Sequence, residues 1–115
     1  DFTKKQIAWD IENTLVMKFL DNVLDLQNYF LLHKIPYVMF NSLPNYMTAG
    51  SSDFKTFSKA INMERFYNPE QSHLEFIQKN NLIVSPKDPH PSTEGHKSWA
   101  KQLKEYIDAN NLRTI

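Results

Sequence analysis

Apolar residues recur every three or four positions along the first third of the chain, at Ile7, Ile11, Leu15, Phe19, Val23, Leu26 and Phe30. That spacing places side chains on one face of an α-helix. From Leu15 onward a second row of Val16, Leu20, Leu24 and Leu31 widens the apolar arc to about half the circumference. Thr3 followed by Gln6 reads as a capping box, and Pro36 denies Ile35 helical geometry. The pattern therefore predicts a helix over residues 4–33 that ends near His33. At 1.5 Å per residue it would span about 45 Å, whereas a compact domain of this length has a radius of gyration of about 13 Å. Either the helix bends around Asp10–Asn13, or its first turns overhang the body. An overhang carrying Phe2, Ile7 and Trp9 would require a partner.

The next run, Ile35-Pro36-Tyr37-Val38-Met39-Phe40-Asn41-Ser42, is short, branched and aromatic, with almost no polar alternation. It predicts a strand over 36–41 that is apolar on both faces, as in a sheet covered by helices on each side. Residues 43–52 read as loop. A short helix is expected at Asp53–Asn62 and another from Pro69 to Asn80, the latter with Pro69 at its first position. Leu82-Ile83-Val84 suggests a second short strand. Ser92 is placed to cap a last helix that carries Trp99, Leu103, Tyr106 and Ile107 and ends near Asn110–Asn111. A helix that leads into a doubly apolar strand is half of an α/β unit, so the expected class is helix-rich α/β with one or two short strands.

Composition narrows the function classes. At 115 residues the chain forms one domain, 1–115. Thirteen Lys and Arg balance thirteen Asp and Glu, which argues against a nucleic-acid partner. No apolar run suits a membrane span and no leader opens the sequence. The absence of cysteine excludes disulfides and thiolate metal sites, and fits a reducing, cytoplasmic setting. Gly50 and Gly95 are the two glycines, so phosphate loops and dinucleotide fingerprints cannot be written on this chain. No cofactor is expected.

One stretch carries chemistry: Ser85-Pro86-Lys87-Asp88-Pro89-His90-Pro91-Ser92-Thr93-Glu94-Gly95-His96. Its prolines stiffen the backbone and fix the directions of Asp88 and His90, and a carboxylate beside a histidine can orient the imidazole and stabilise its protonated form. A plain turn, with Asp88 capping backbone amides, would use the same residues. Asp88, His90 and His96 together could also bind a divalent metal, although their spacing matches no established metal motif. His96 is expected to pack or face solvent, His33 and His73 to face solvent, and Trp9 and Trp99 to be packing residues.

Asp88-Pro89-His90-Pro91-Ser92, then Gly95-His96, Trp99-Ala100 and Leu103, resembles the last block of the SGNH (GDSL-type) hydrolase family. The helix and strand that end in Asn41-Ser42-Leu43-Pro44 are similar to that family's penultimate helix and strand. The resemblance implies a three-layer α/β/α fold and hydrolysis or transfer of ester-linked acyl groups. It also implies that His90 is the general base and Asp88 its orienting carboxylate. The family's usual Asp stands three residues before the His, where this chain has Lys87, and its Gly-Asp-Ser nucleophile motif is absent. With Asp1 as the opening residue, the chain then reads as the C-terminal portion of an SGNH-like domain, a truncated α/β/α fragment that is inactive alone as an esterase. The lone strand and the wide apolar arc of the first helix lead to an expected homodimer through the N-terminal helix. A non-enzymatic, self-associating helical interaction module is the competing expectation.

Overall fold

A computed structural model describes residues 1–43, 56 and 58–115. Its first element, α1 (Phe2–Leu32), is an unbroken helix of 31 residues. The cap lies two residues earlier than the sequence suggested. Asp1 accepts the Thr3 N–H at 3.0 Å, while the Gln6 amide donates to Asp10 at 3.1 Å. An aspartate acceptor at the N-cap also suits the positive end of the helix dipole.

Val16, Leu20, Val23 and Gln27 are the buried residues of α1, and the first four turns lie outside the body. Phe2 is 80% exposed and Trp9 56%, so Trp9 is not the packing residue its type suggested. Overhang, rather than a bend over the core, reconciles the long helix with a small domain. The radius of gyration is 16.6 Å, against about 13 Å for a compact chain of this length.

Pro36 ends α1 as expected, and the closure is specific. Lys34 adopts a left-handed φ of 54°, its N–H donates to Leu31 O at 3.2 Å, and the Ile35 N–H donates to Phe30 O at 2.8 Å. That is a Schellman motif with lysine where glycine is usual.

The segment predicted as a strand over 36–41 is extended but, among the described residues, pairs at one point only. Met39 bridges Phe66 in parallel, donating to Arg65 O at 2.8 Å and accepting from the Tyr67 N–H at 2.7 Å. Pro36 has no N–H to give, and a side chain takes the Tyr37 carbonyl instead, through Arg65 Nη1 at 3.0 Å. Arg65 Nη1 also reaches Leu112 O at 3.1 Å, Nη2 donates to Thr114 O, and the guanidinium lies over the Tyr37 ring. One arginine thus ties the extended segment to the C-terminus.

The helix expected at Asp53–Asn62 falls largely outside the described residues. A 3₁₀ turn covers Met63–Arg65. The helix expected from Pro69 starts later, as α2 (His73–Lys79), because Ser72 and Glu75 form a full capping box there. The second strand is present as β1 (Ile83–Ser85). It pairs antiparallel with β2 (Asp88–Pro91), the proline-stiffened stretch that carries Asp88 and His90. A two-stranded hairpin leaves an outer edge, and there Pro89 and Pro91 need no amide hydrogen. Then α3 (Thr93–Ala109) begins at the Ser92 cap, and its C-cap is Asn110. The molecule is helix-rich with a small antiparallel hairpin.

Two apolar clusters hold these elements. Val16, Leu20 and Val23 of α1 pack with Ile61 and Phe66. Phe76 and Ile77 of α2 pack with Trp99 of α3. Gln27, 5% exposed, fastens α1 to the chain before the 3₁₀ turn. Its Oε1 accepts the Asn62 N–H at 2.8 Å and its Nε2 donates to Asn62 O at 3.2 Å.

Candidate active site

The hairpin turns through Pro86 and Lys87, with Ser85 opposite Asp88 and Ile83 opposite Pro91. Between those pairs β2 holds one residue more than β1, a bulge that re-aims side chains. The Ser85 hydroxyl accepts the Asp88 N–H at 3.1 Å, which fixes the carboxylate. Asp88 Oδ1 then accepts the His90 N–H at 3.2 Å and lies 2.5 Å from His90 Nδ1.

The imidazole beside Asp88 holds its carboxyl below the usual carboxylate range, helped by the same residue's backbone amide. With Nδ1 engaged, Nε2 is the nitrogen left for chemistry. Lys87 stands in the turn and is exposed.

Ser92 seats the hairpin on α3. Its N–H donates to Leu82 O at 2.8 Å and its hydroxyl donates to the same carbonyl at 2.8 Å, while Oγ accepts from the Gly95 N–H at 3.1 Å. Gly95 is required at this contact. A Cβ there would come within 2.8 Å of both Leu82 O and Ile77 Cδ1.

His90 borders a cleft of 290 Å³. Pro89 and Pro91 share its side of the cleft, and Ser42, Leu43, His73 and Leu74 complete the lining. The end of the extended segment and the start of α2 are tied together. The His73 N–H donates to Asn41 O at 2.8 Å and the Leu74 N–H to Ser42 O at 3.1 Å.

His73 is half-buried rather than solvent-facing. Its ring packs 4.9 Å from Trp99, 6.4 Å from Phe40 and 5.8 Å from His96. Burial, then the neighbouring His96, pushes its imidazole below the ordinary histidine value, so it is neutral at pH 7. Its Nε2 and the Trp99 Nε1 are buried without a hydrogen-bond partner among the described residues.

The structure therefore brings Asp88 and His90 together and adds His73, Leu74 and Ser42 to the same cleft. Local sequence alone makes His73 a solvent-facing helix-end residue. The signal that could have placed it was the Ser72-x-x-Glu75 capping box, which starts the helix at His73. His96 turns toward His73, and Trp99 is a packing hub, 5% exposed. Among the described residues no group of three or more His, Asp or Glu is arranged to hold a metal ion, which sets aside the Asp88–His90–His96 metal alternative. Among the described residues His90 is hydrogen-bonded to Asp88 and to no serine hydroxyl.

Compared with protein-family models, with curated proteins and with solved structures, the chain matches none. No helix among the described residues is long and apolar enough to cross a membrane.

Proposed function

We propose that this chain carries the general-base half of an ester-hydrolysing or acyl-transferring site of the SGNH (GDSL-type) hydrolase class. The observation that carries this reading is the 2.5 Å approach of Asp88 Oδ1 to His90 Nδ1 beside a cleft. The carboxylate holds the proton on Nδ1, so the Nε2 lone pair can take a proton from a hydroxyl as its oxygen attacks an acyl carbon. The imidazolium is then stabilised by Asp88 and returns the proton to the leaving alcohol. The same reading takes the fold as a helix-rich piece of an α/β/α sandwich, with the Met39–Phe66 parallel bridge as the remnant of its sheet. It also places the protein in the cytoplasm.

The chain has no Gly-Asp-Ser motif, so no acyl-serine should form on it. Hydrolysis of p-nitrophenyl butyrate by the purified chain should be slow, free of a burst, and dependent on His90. His90→Ala should remove the increment over buffer, and Asp88→Asn should lower it about tenfold or more. An increment untouched by His90→Ala would sink the reading. Serine labelling by a fluorophosphonate would overturn the statement that the nucleophile is absent.

A second reading, compatible with the first, is favoured by the first turns of α1. Ile7, Ile11 and Leu15 are 54%, 56% and 50% exposed and follow one another at four-residue steps. Ile11 stands about 180° around the helix from the buried Leu20, so the chain's own core cannot cover this stripe. Past Leu15 the four-residue row runs through the partly buried Phe19 to the buried Val23 and so enters the core, which confines the exposed stripe to the overhang. The occupant proposed is a second copy of this chain.

Antiparallel pairing about a two-fold axis near Ala8 and Trp9 brings Lys5 toward the partner's Glu12. Parallel pairing would set Lys4 and Lys5 against their own copies. Sedimentation equilibrium from 5 to about 200 μM should show a dimer that Ile11→Glu converts to monomer. A monomeric mass throughout that range would rule the dimer out.

A further inference from the structure

We infer that the cleft between β2 and the start of α2 is an acyl-chain site for an unbranched aliphatic group, with the reacting carbonyl at the His90 rim. The inference rests on the acyl-transfer reading and adds to it the kind of acyl group.

The lining is mainly hydrocarbon. Leu43 and Leu74 come from the extended segment and the first turn of α2, and Pro89 and Pro91 from the strand that bears His90. Leu43 is 64% exposed, a large apolar side chain that a bound chain would cover. The polar groups in the lining are Ser42, His73 and His90. His73 is held neutral by its burial against Trp99. Among the described residues no lysine, arginine or carboxylate lines the cleft, so these offer nothing to fix a phosphate and too few hydroxyl partners for a sugar ring. A sugar or other alcohol would occupy the leaving side, outside.

The lining is also pre-formed. Prolines fix φ on either side of His90, and the opposing segments are joined by the Asn41–His73 and Ser42–Leu74 backbone hydrogen bonds. Filling such a site demands little reordering of the protein. Its 290 Å³ corresponds to about ten water-sized volumes of roughly 30 Å³. That accommodates a six- to eight-carbon acyl group and excludes longer chains from full coverage.

Primary amides report on this site without being hydrolysed. Proton–carbon NMR of the histidine rings and leucine methyls, with acetamide, butyramide, hexanamide and decanamide as probes, reads occupancy and affinity together. Each methylene fully covered should tighten binding about fourfold, so hexanamide should bind at least tenfold tighter than acetamide and shift the Leu74 methyls and the His90 ring. The gain per carbon should stop between hexanamide and decanamide. Leu74→Asp should abolish the chain-length gain while leaving the remaining resonances in place, and the milder Leu74→Ala should reduce it. Equal affinities for acetamide and hexanamide, no binding at all, or shifts away from Leu74 and His90 would each overturn the inference. Chain-length dependence with ester turnover indifferent to His90→Ala would instead sink the acyl-transfer reading and leave an aliphatic binding site. Turnover that needs His90 with no chain-length dependence would sink this inference alone.

Discussion

Asp88 Oδ1 receives both the backbone N–H of His90, at 3.2 Å, and its ring Nδ1, at 2.5 Å. One carboxylate oxygen therefore fixes the chain direction and the ring of the same residue. Both contacts favour the charged carboxylate, so its folded value lies below the unfolded one. For a depressed acid the stabilisation is present above the unfolded value, near pH 4, and fades as pH falls through the lower folded one. Carbon-13 titration of the Asp88 carboxyl should show a midpoint below the ordinary aspartate value, and His90→Ala should bring it back up. An ordinary midpoint in the unmodified chain would mean that the pair does not form in solution.

His73 behaves in the opposite sense. Burial and the nearby His96 lower its folded value, so below about pH 6.5 the unfolded chain binds a proton that the folded chain resists. Stability is then lost as pH falls through that range. Urea midpoints measured from pH 7.5 to 5 should decline, and His73→Gln should flatten the decline. A slope unchanged by that substitution would assign the loss elsewhere.

Gln27 shows how a buried polar residue can serve the fold. It satisfies the N–H and the carbonyl of Asn62 from a position on α1 that is 5% exposed. Gln27→Leu preserves volume but strands both backbone groups, each worth about 1–3 kcal/mol when buried and unpaired. With Asn62 partly open to water, a net loss of about 1–3 kcal/mol is expected in urea denaturation. A neutral result would mean that water replaces the amide.

The helices α1, α2 and α3 end alike, and none of the three has glycine at the left-handed position. Lys34, Asn81 and Asn111 have φ values of 54°, 52° and 52°, and each is followed by a residue whose N–H reaches back into the helix. Lysine is the least suited of the three to this conformation, since a short amide side chain tolerates it better. Lys34→Gly should raise stability by about 0.5–1 kcal/mol despite the greater freedom of the unfolded chain. Asn81→Gly should raise it by less. Thermal melts of the two variants check the order.

Periodicity made α1 and α3 legible, and the Ser92 cap and the stop at Pro36 followed from local chemistry. The pairing of 83–85 with Asp88–Pro91 was not legible, because Pro89 and Pro91 argue against a strand unless its outer edge is open. The strand expected over 36–41 is shorter in the fold for a related reason. Branched and aromatic residues make a segment suitable for a sheet, but hydrogen-bonded neighbours make the sheet, and among the described residues Met39 alone finds one. Asp88 and His90 were found because they lie two residues apart. His73 and Leu74 reach the cleft only through tertiary contacts with Asn41 and Ser42, which leave no trace in local spacing. Trp9 stays exposed because aromatic type signals packing while helix length decides what is within reach.

Gly95 joins the hairpin to its helix, and its replacement tests that junction. Alanine gains at most about 1 kcal/mol over glycine from propensity alone, the helix-interior figure, and Gly95 stands in the first turn. Against this, the added Cβ would stand 2.8 Å from Leu82 O and 2.8 Å from Ile77 Cδ1. The isoleucine end can rotate, but the carbonyl cannot move without loosening both hydrogen bonds that Ser92 gives to it. Overpacking of this kind destabilises by about 1–3 kcal/mol, so it outweighs the propensity gain and Gly95→Ala should lower stability. Because Ser92 lies two residues from His90, the same variant should broaden the His90 ring signals in NMR. A stabilised variant with unchanged His90 signals would show that α3 does not hold the hairpin in place.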